Sequence, residues 1–207
     1  KLPKAPSYLS GRDSENNPLR DAEHSHAFWL PEDASGDGLI DHVTVYARHG
    51  FDETAQRKLS ALSRLWIENG APDEDDDRGR KEWRLALEGF GKPQEFPDSA
   101  LLGESKTWRS ATPYLRPRFG PRTFEETEAQ IRYELQARGI CAPVDISQIG
   151  DFQLIKFRRT RSRRGLVQPD AFGCAVKIEF PEVIPGPLAL GFGAHFGLGL
   201  FKTTEGL

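Results

Sequence analysis

The chain has 207 residues, of which 29% are charged and 37% hydrophobic. That is the balance of a soluble protein with material for one large domain or two small ones. No apolar run in these residues is long enough to span a bilayer and no signal-peptide pattern is seen at Lys1-Leu-Pro-Lys4. A formal net charge of −3 excludes a uniformly basic nucleic-acid binder, though not one with a local basic face. Cys141 and Cys174 are isolated, with no Cys or His at zinc-ligand spacing, and two free thiols suit a reducing cytoplasm. The chain contains no Met and reads as a piece of a longer protein.

Residues 1–23 are rich in Pro, Ser, Asn and charge and read as a linker or arm. His26-Ala-Phe-Trp-Leu30 is a β-prone run closed by Pro31, and Val43-Thr-Val-Tyr-Ala47 alternates as a second strand. Between them, Asp33-Ala-Ser-Gly-Asp-Gly-Leu-Ile-Asp41 spaces its oxygens like the start of a calcium loop. Thr44 stands where the closing bidentate Glu belongs, so a hairpin turn bonded to its own backbone is the preferred reading. Asp52 opens a helix with Leu59, Leu62, Leu65 and Trp66 on one stripe, ended by Asn69-Gly70.

An acidic block, Asp73-Glu-Asp-Asp-Asp77, leads to strands expected at Trp83–Leu87 and Thr107–Tyr114. Thr123-Phe-Glu-Glu126 is a capping box; the helix it opens buries Phe124, Ile131 and Leu135 and stops at Gly139. A strand is expected at Asp151–Phe157, its hairpin partner at Phe172–Phe180. Val183–Leu190 approaches a glycine-rich stretch, and Gly197–Phe201 is a last strand. The order βαββα followed by more strands fits an α+β protein.

Two stretches carry chemistry. Lys156, Arg158, Arg159, Arg161, Arg163 and Arg164 form a basic run without an acidic residue. It suits phosphate contact, with a solvated hairpin facing the acidic block as the alternative. Leu188-Ala-Leu-Gly-Phe-Gly-Ala-His-Phe-Gly-Leu-Gly-Leu-Phe201 sets Gly191, Gly193, Gly197 and Gly199 as two Gly-apolar-Gly pairs around His195. It lacks the Lys-Ser/Thr of a Walker loop and the spacing of a dinucleotide fingerprint. Such a turn can cradle an anion on its N–H groups, or it can be a buried strand and turn.

This loop resembles the glycine-rich loop of the RAMP superfamily, the RNA-binding proteins of CRISPR effector complexes and their repeat-cleaving endoribonucleases. The stretches 24–31, 37–47, 108–114 and 186–190 extend the likeness. From about His24 to Phe201 the chain is similar to the C-terminal, processing-nuclease half of the type I-U (I-G) fusion subunit. It departs in having only three residues between the two Gly pairs. The resemblance implies a ferredoxin-like (RRM-like) βαββα domain over 24–147. A second, mostly β lobe over 148–207 would carry the basic hairpin and the glycine-rich loop. It also implies a cytoplasmic endoribonuclease of antiviral defense that matures CRISPR RNA without cofactor or metal. Its partners would be repeat RNA, guide RNA and other subunits of a type I CRISPR effector complex, with no membrane. A guide-binding subunit that does not cut is the alternative.

Metal-free cleavage by a 2′-hydroxyl needs a base, an acid and groups that stabilise the phosphorane, and histidine suits either proton role. The superfamily has no fixed catalytic set, so the candidates come from position alone. His26, which shares a strand face with His24, and His195 in the glycine loop come first. His49, just after a strand, follows. His42 beside Asp41 is an oriented imidazole or a hairpin end. Tyr114 is a hydrogen-bond donor or a packing ring, and Ser110 and Thr112 touch phosphate or line a sheet.

Overall fold

The computed structural model describes residues 5–15, 17–19, 26–67, 81–117, 123–150 and 173–204. In chain order these form α1 (Ser7–Ser10), β1 (Phe28–Glu32), β2 (His42–Tyr46), α2 (Glu53–Ser60), β3 (Arg64–Ile67) and β4 (Lys81–Arg84). Then follow β5 (Glu104–Ser110), α3 (Phe124–Ala137), β6 (Asp145–Gly150), β7 (Ala175–Pro185), β8 (Leu188–Ala189) and β9 (Leu200–Thr203). The protein is α+β: β1 and β2 form one antiparallel pair, β3 and β4 another, and the rest a five-stranded sheet in the order β6-β7-β5-β9-β8. Every pairing in that sheet is antiparallel. The 147/148 boundary between the two expected domains falls inside β6, and the large sheet draws strands from both sides of it.

The main core lies between this sheet and α3. Trp108 on β5, Ile131 and Leu135 on α3, Val176 and Ile178 on β7, and Phe201 on β9 are buried in one cluster. Each such side chain taken from water contributes roughly 1.5–3 kcal/mol. The capping box starts α3 as its sequence indicates. Thr123 Oγ1 accepts from the Glu126 amide at 3.3 Å, and Glu126 Oε2 accepts from the Thr123 amide at 3.2 Å. Ile131 and Leu135, one turn apart, then face the sheet.

Two satellite clusters join β1 to the remainder. Phe28 and Leu30 pack with Leu101, Ala189, Ala194 and Leu200. On the other side, Leu9, Ala27, Ala47, Ala55 and Leu59 form a small core beneath α1 and α2. Alternation along β1 produces this split, because Phe28, Leu30 and Glu32 are buried and Trp29 and Pro31 half-buried.

Several expectations need correction. The stretch read as an arm holds α1, whose Leu9 is buried and whose Leu9 carbonyl accepts from Trp29 Nε1 at 3.2 Å. The helix expected to run from Asp52 until Asn69-Gly70 ends at Ser60, and Leu65 lies in β3 opposite Trp83. A β-prone Leu-Trp-Ile run found a strand partner, and pairing overrode the helical spacing. The strand at 107–114 begins earlier, at Glu104, and ends at Ser110. β6 was not anticipated, while β7 fuses the end of one expected strand with the start of the next. The expected strand at 151–157 and the acidic block lie outside the described residues.

Candidate functional site

The four glycines of the 188–201 loop all take positive φ, from 58° at Gly199 to 89° at Gly197. A short 3-10 turn at Ala194–Phe196 sits between the two pairs. At Gly199 a Cβ would stand 1.8 Å from the Leu190 carbonyl oxygen, so space as well as φ demands glycine there.

The loop turns most of its amides inward. Phe192 donates to Leu115 O at 2.8 Å, Phe196 to Gly193 O at 2.8 Å and Gly199 to Pro113 O at 2.9 Å. The Gly191 amide donates to the Glu134 carboxylate at 2.9 and 3.1 Å. This loop therefore binds a carboxylate of its own chain at Gly191. Thr112 staples the far side, its Oγ1 donating to Gly197 O at 2.8 Å and accepting from the Leu200 amide at 2.9 Å. Ser110 Oγ likewise accepts from the Val176 amide at 2.9 Å. Both hydroxyls hold sheet backbone, the lining role of the two foreseen for them.

The 3-10 turn carries His195 against β1. The His195 ring is 8% exposed and stacks on His26 with centroids 3.6 Å apart and planes 17° from parallel. On its other side Phe28 stacks at 3.9 Å and 22°. His195 Nδ1 lies 3.4 Å from the Ala27 carbonyl oxygen, which can only accept, so the contact is a hydrogen bond in the tautomer protonated at Nδ1. Arg138 continues the column, its guanidinium 5.9 Å from the Phe28 ring centre. The sequence candidates His26 and His195, 169 positions apart, are thus brought into one stack.

His49 is exposed in the turn between β2 and α2 and makes no ring contact with this pair among the described residues. His24 and all six of Lys156, Arg158, Arg159, Arg161, Arg163 and Arg164 lie outside the described residues. Tyr114 is fully buried, and its hydroxyl has no partner among the described residues. Burial, followed by the Glu134 charge, pushes its phenol far above the ordinary range. It is a core ring with no edge at the surface.

Behind the column, Glu134 and Arg138 on α3 form a largely buried ion pair, and Arg138 also donates to the Ala189 carbonyl. Burial raises the Glu134 carboxyl above its usual range, with Arg138 and the Gly191 amide pulling against it. Glu134 and Arg138 were not singled out in the sequence, since a Glu four residues ahead of an Arg is ordinary helix-surface spacing. Beside the column opens a cleft of about 560 Å³, lined by Phe28, Tyr46, Arg48, Arg138, Cys141 and Glu182 among others. Burial, then the Glu182 charge, pushes the Cys141 thiol up, away from thiolate chemistry.

The 33–41 turn has a different character. Asp33 accepts from the Gly36 and Gly38 amides at 2.7 and 2.8 Å, and Asp41 from Ala34 and Ser35 at 2.9 and 3.0 Å. Both carboxylates close the hairpin on its own backbone, as the preferred reading had it. Among the described residues no group of three or more His, Cys, Asp or Glu could hold a metal ion. No helix among them is long and apolar enough to cross a membrane.

Comparison with known proteins finds no matching family model and no significant match among curated proteins or solved structures.

Proposed function

We propose that the chain is an RNA-binding protein of the RAMP type that cuts precursor CRISPR RNA within the repeat and stays on the guide. The observation that carries this reading is the stack of His195, in the glycine-rich loop, on His26 ahead of β1, beside a cleft with arginine and aromatic walls. The reading includes a ferredoxin-like core, supported by an antiparallel sheet with α3 packed against it.

In this reaction a base takes the proton of a 2′-hydroxyl, and the 2′-oxygen forms a bond to phosphorus. The bond from phosphorus to the 5′-oxygen breaks, and an acid gives that oxygen a proton. The products are a 2′,3′-cyclic phosphate and a 5′-hydroxyl. His26, partly exposed with its Nδ1 enclosed, is the imidazole of the pair that substrate would meet. His195 behind it is locked by Phe28 and the Ala27 carbonyl and fixes the plane of the His26 ring. A positioned proton-transfer group contributes about 10²–10⁴-fold.

A second reading, a guide-RNA-binding subunit that does not cut, is favoured by the burial of His195 and the inward-turned loop amides. The test is cognate repeat RNA in EDTA, alongside RNA with single 2′-deoxy substitutions. One cut that survives EDTA and is blocked by one deoxy position supports the nuclease, with His26→Ala expected to slow it at least a hundredfold. Tight binding without a cut supports the guide-binding subunit. Absence of both overturns the RNA reading.

A further inference from the structure

We infer that the cleft between β2, the end of α3 and β7 is a binding site for one ribonucleotide unit, its phosphate on Arg48 and its base against Tyr46. The walls supply the parts such a ligand needs. Tyr46 is half-buried and its ring is held 6.4 Å from that of Phe28, inclined by 52°, which leaves it a positioned aromatic wall against which a base can stack. Tyr46 and Arg48 are two positions apart at the end of β2, and both line the cleft. Arg48 is exposed and has no ion pair among the described residues. It is a guanidinium fork open to a phosphate.

The other charges fit the same ligand. Arg138 is paired with Glu134 and donates to the Ala189 carbonyl, so its charge is balanced within the chain and Arg48 is the cation on the cleft wall left for a ligand. Glu182 is an exposed carboxylate on the cleft wall and accepts from a ribose hydroxyl or a base amino group. The volume of about 560 Å³ is in the range of small-molecule sites. A cation without an ion pair, a carboxylate and an aromatic wall match a phosphate joined to a sugar and a flat base.

The same chemistry belongs to a free nucleotide and to an unpaired nucleotide of an RNA chain. The choice of RNA rests on the function proposed above; the site itself does not. The test titrates 5′-AMP, 5′-CMP, the matching nucleosides and a tetranucleotide into the full chain, following amide resonances at Phe28, Tyr46, Arg48 and Gly139. Saturable shifts at those residues are expected. Arg48→Gln is expected to weaken the mononucleotides about tenfold and leave the nucleosides unchanged. Tyr46→Leu is expected to weaken both. A tetranucleotide binding more tightly than the mononucleotides assigns the site to RNA, and equal affinity assigns it to a free nucleotide. Shifts that miss these residues, or an Arg48→Gln loss shared equally by nucleosides, overturn the proposal. Cleavage does not enter this assay, so failure of the nuclease reading leaves a distinct result.

Discussion

The hairpin turn at 33–41 and the loop at 188–201 use the same devices in opposite surroundings. Each holds glycines at positive φ, and each sets a carboxylate against backbone amides: Asp33 on Gly36 and Gly38, Glu134 on Gly191. Each also pairs its acid region with a cation, His42 between Asp41 and Glu88 in the first, Arg138 on Glu134 in the second. In the hairpin these groups face water, and a Cβ on Gly36 would meet nothing within 4 Å. In the loop they are enclosed, and a Cβ on Gly191 would stand 2.5 Å from the Leu115 carbonyl oxygen. Identical local chemistry therefore carries very different weight, because water substitutes for a lost partner in one place and cannot reach the other.

The sharpest way to break this contrast is the buried pair. Glu134→Gln leaves Arg138 enclosed without a counter-charge and should cost about 4 kcal/mol. Urea denaturation measures it, and a loss no larger than a surface substitution would mean that water reaches the loop. Gly199→Ala comes next, since its methyl collides with Leu190 backbone at a left-handed φ. The expected loss is about 3 kcal/mol. Gly36→Ala meets only the φ penalty and should cost about 1 kcal/mol. Equal losses at Gly36 and Gly199 would erase the distinction between space and conformation.

The smallest effect is the exposed ion pair, and it depends on pH. A hydrogen bond to Asp41 raises the His42 pKa, so the pair stabilises below the ordinary imidazole range and is lost as pH rises through the raised value. Asp41 is depressed, chiefly by the bond from His42, so its share is present above the ordinary carboxylate range and lost on acidification. The melting-temperature difference between the parent and His42→Gln should be largest between roughly pH 4 and 6.5 and vanish in alkaline solution. A difference independent of pH would assign His42 a packing role.

How much of this was legible in the chain depends on how local the cause is. Thr123-Phe-Glu-Glu126 contains its whole mechanism within one helical turn, and α3 begins where it indicates. The alternating Val43-Thr-Val-Tyr run is likewise recovered in β2. The end of α2 was misplaced because Leu62 and Leu65 satisfy a helical stripe, and only a remote partner, β4, converts Leu65 to a strand residue. Leu9 was missed for the same reason: its burial is created by Ala27, Ala47, Ala55 and Leu59, none of them near in sequence. The stack of His26 on His195 had each member foreseen and no local signal for the contact itself. Arg48 carried the weakest signal, since an exposed arginine after a strand becomes a site residue only when a cleft forms beside it.

The order of the large sheet bears on how the protein is made. The strand at its centre, β5, has both hydrogen-bonding neighbours later in the chain, Trp108 facing Ile178 on one side and Thr203 on the other. During synthesis from the N-terminus, Trp108 leaves the ribosome long before either neighbour exists. The nascent chain then carries an indole destined for full burial on a strand with two open edges until about seventy further residues are added, and with one open edge until about ninety-five are. Such an intermediate is a natural client for holding chaperones, and yield on expression should respond to them more strongly than the stability of the finished fold would suggest.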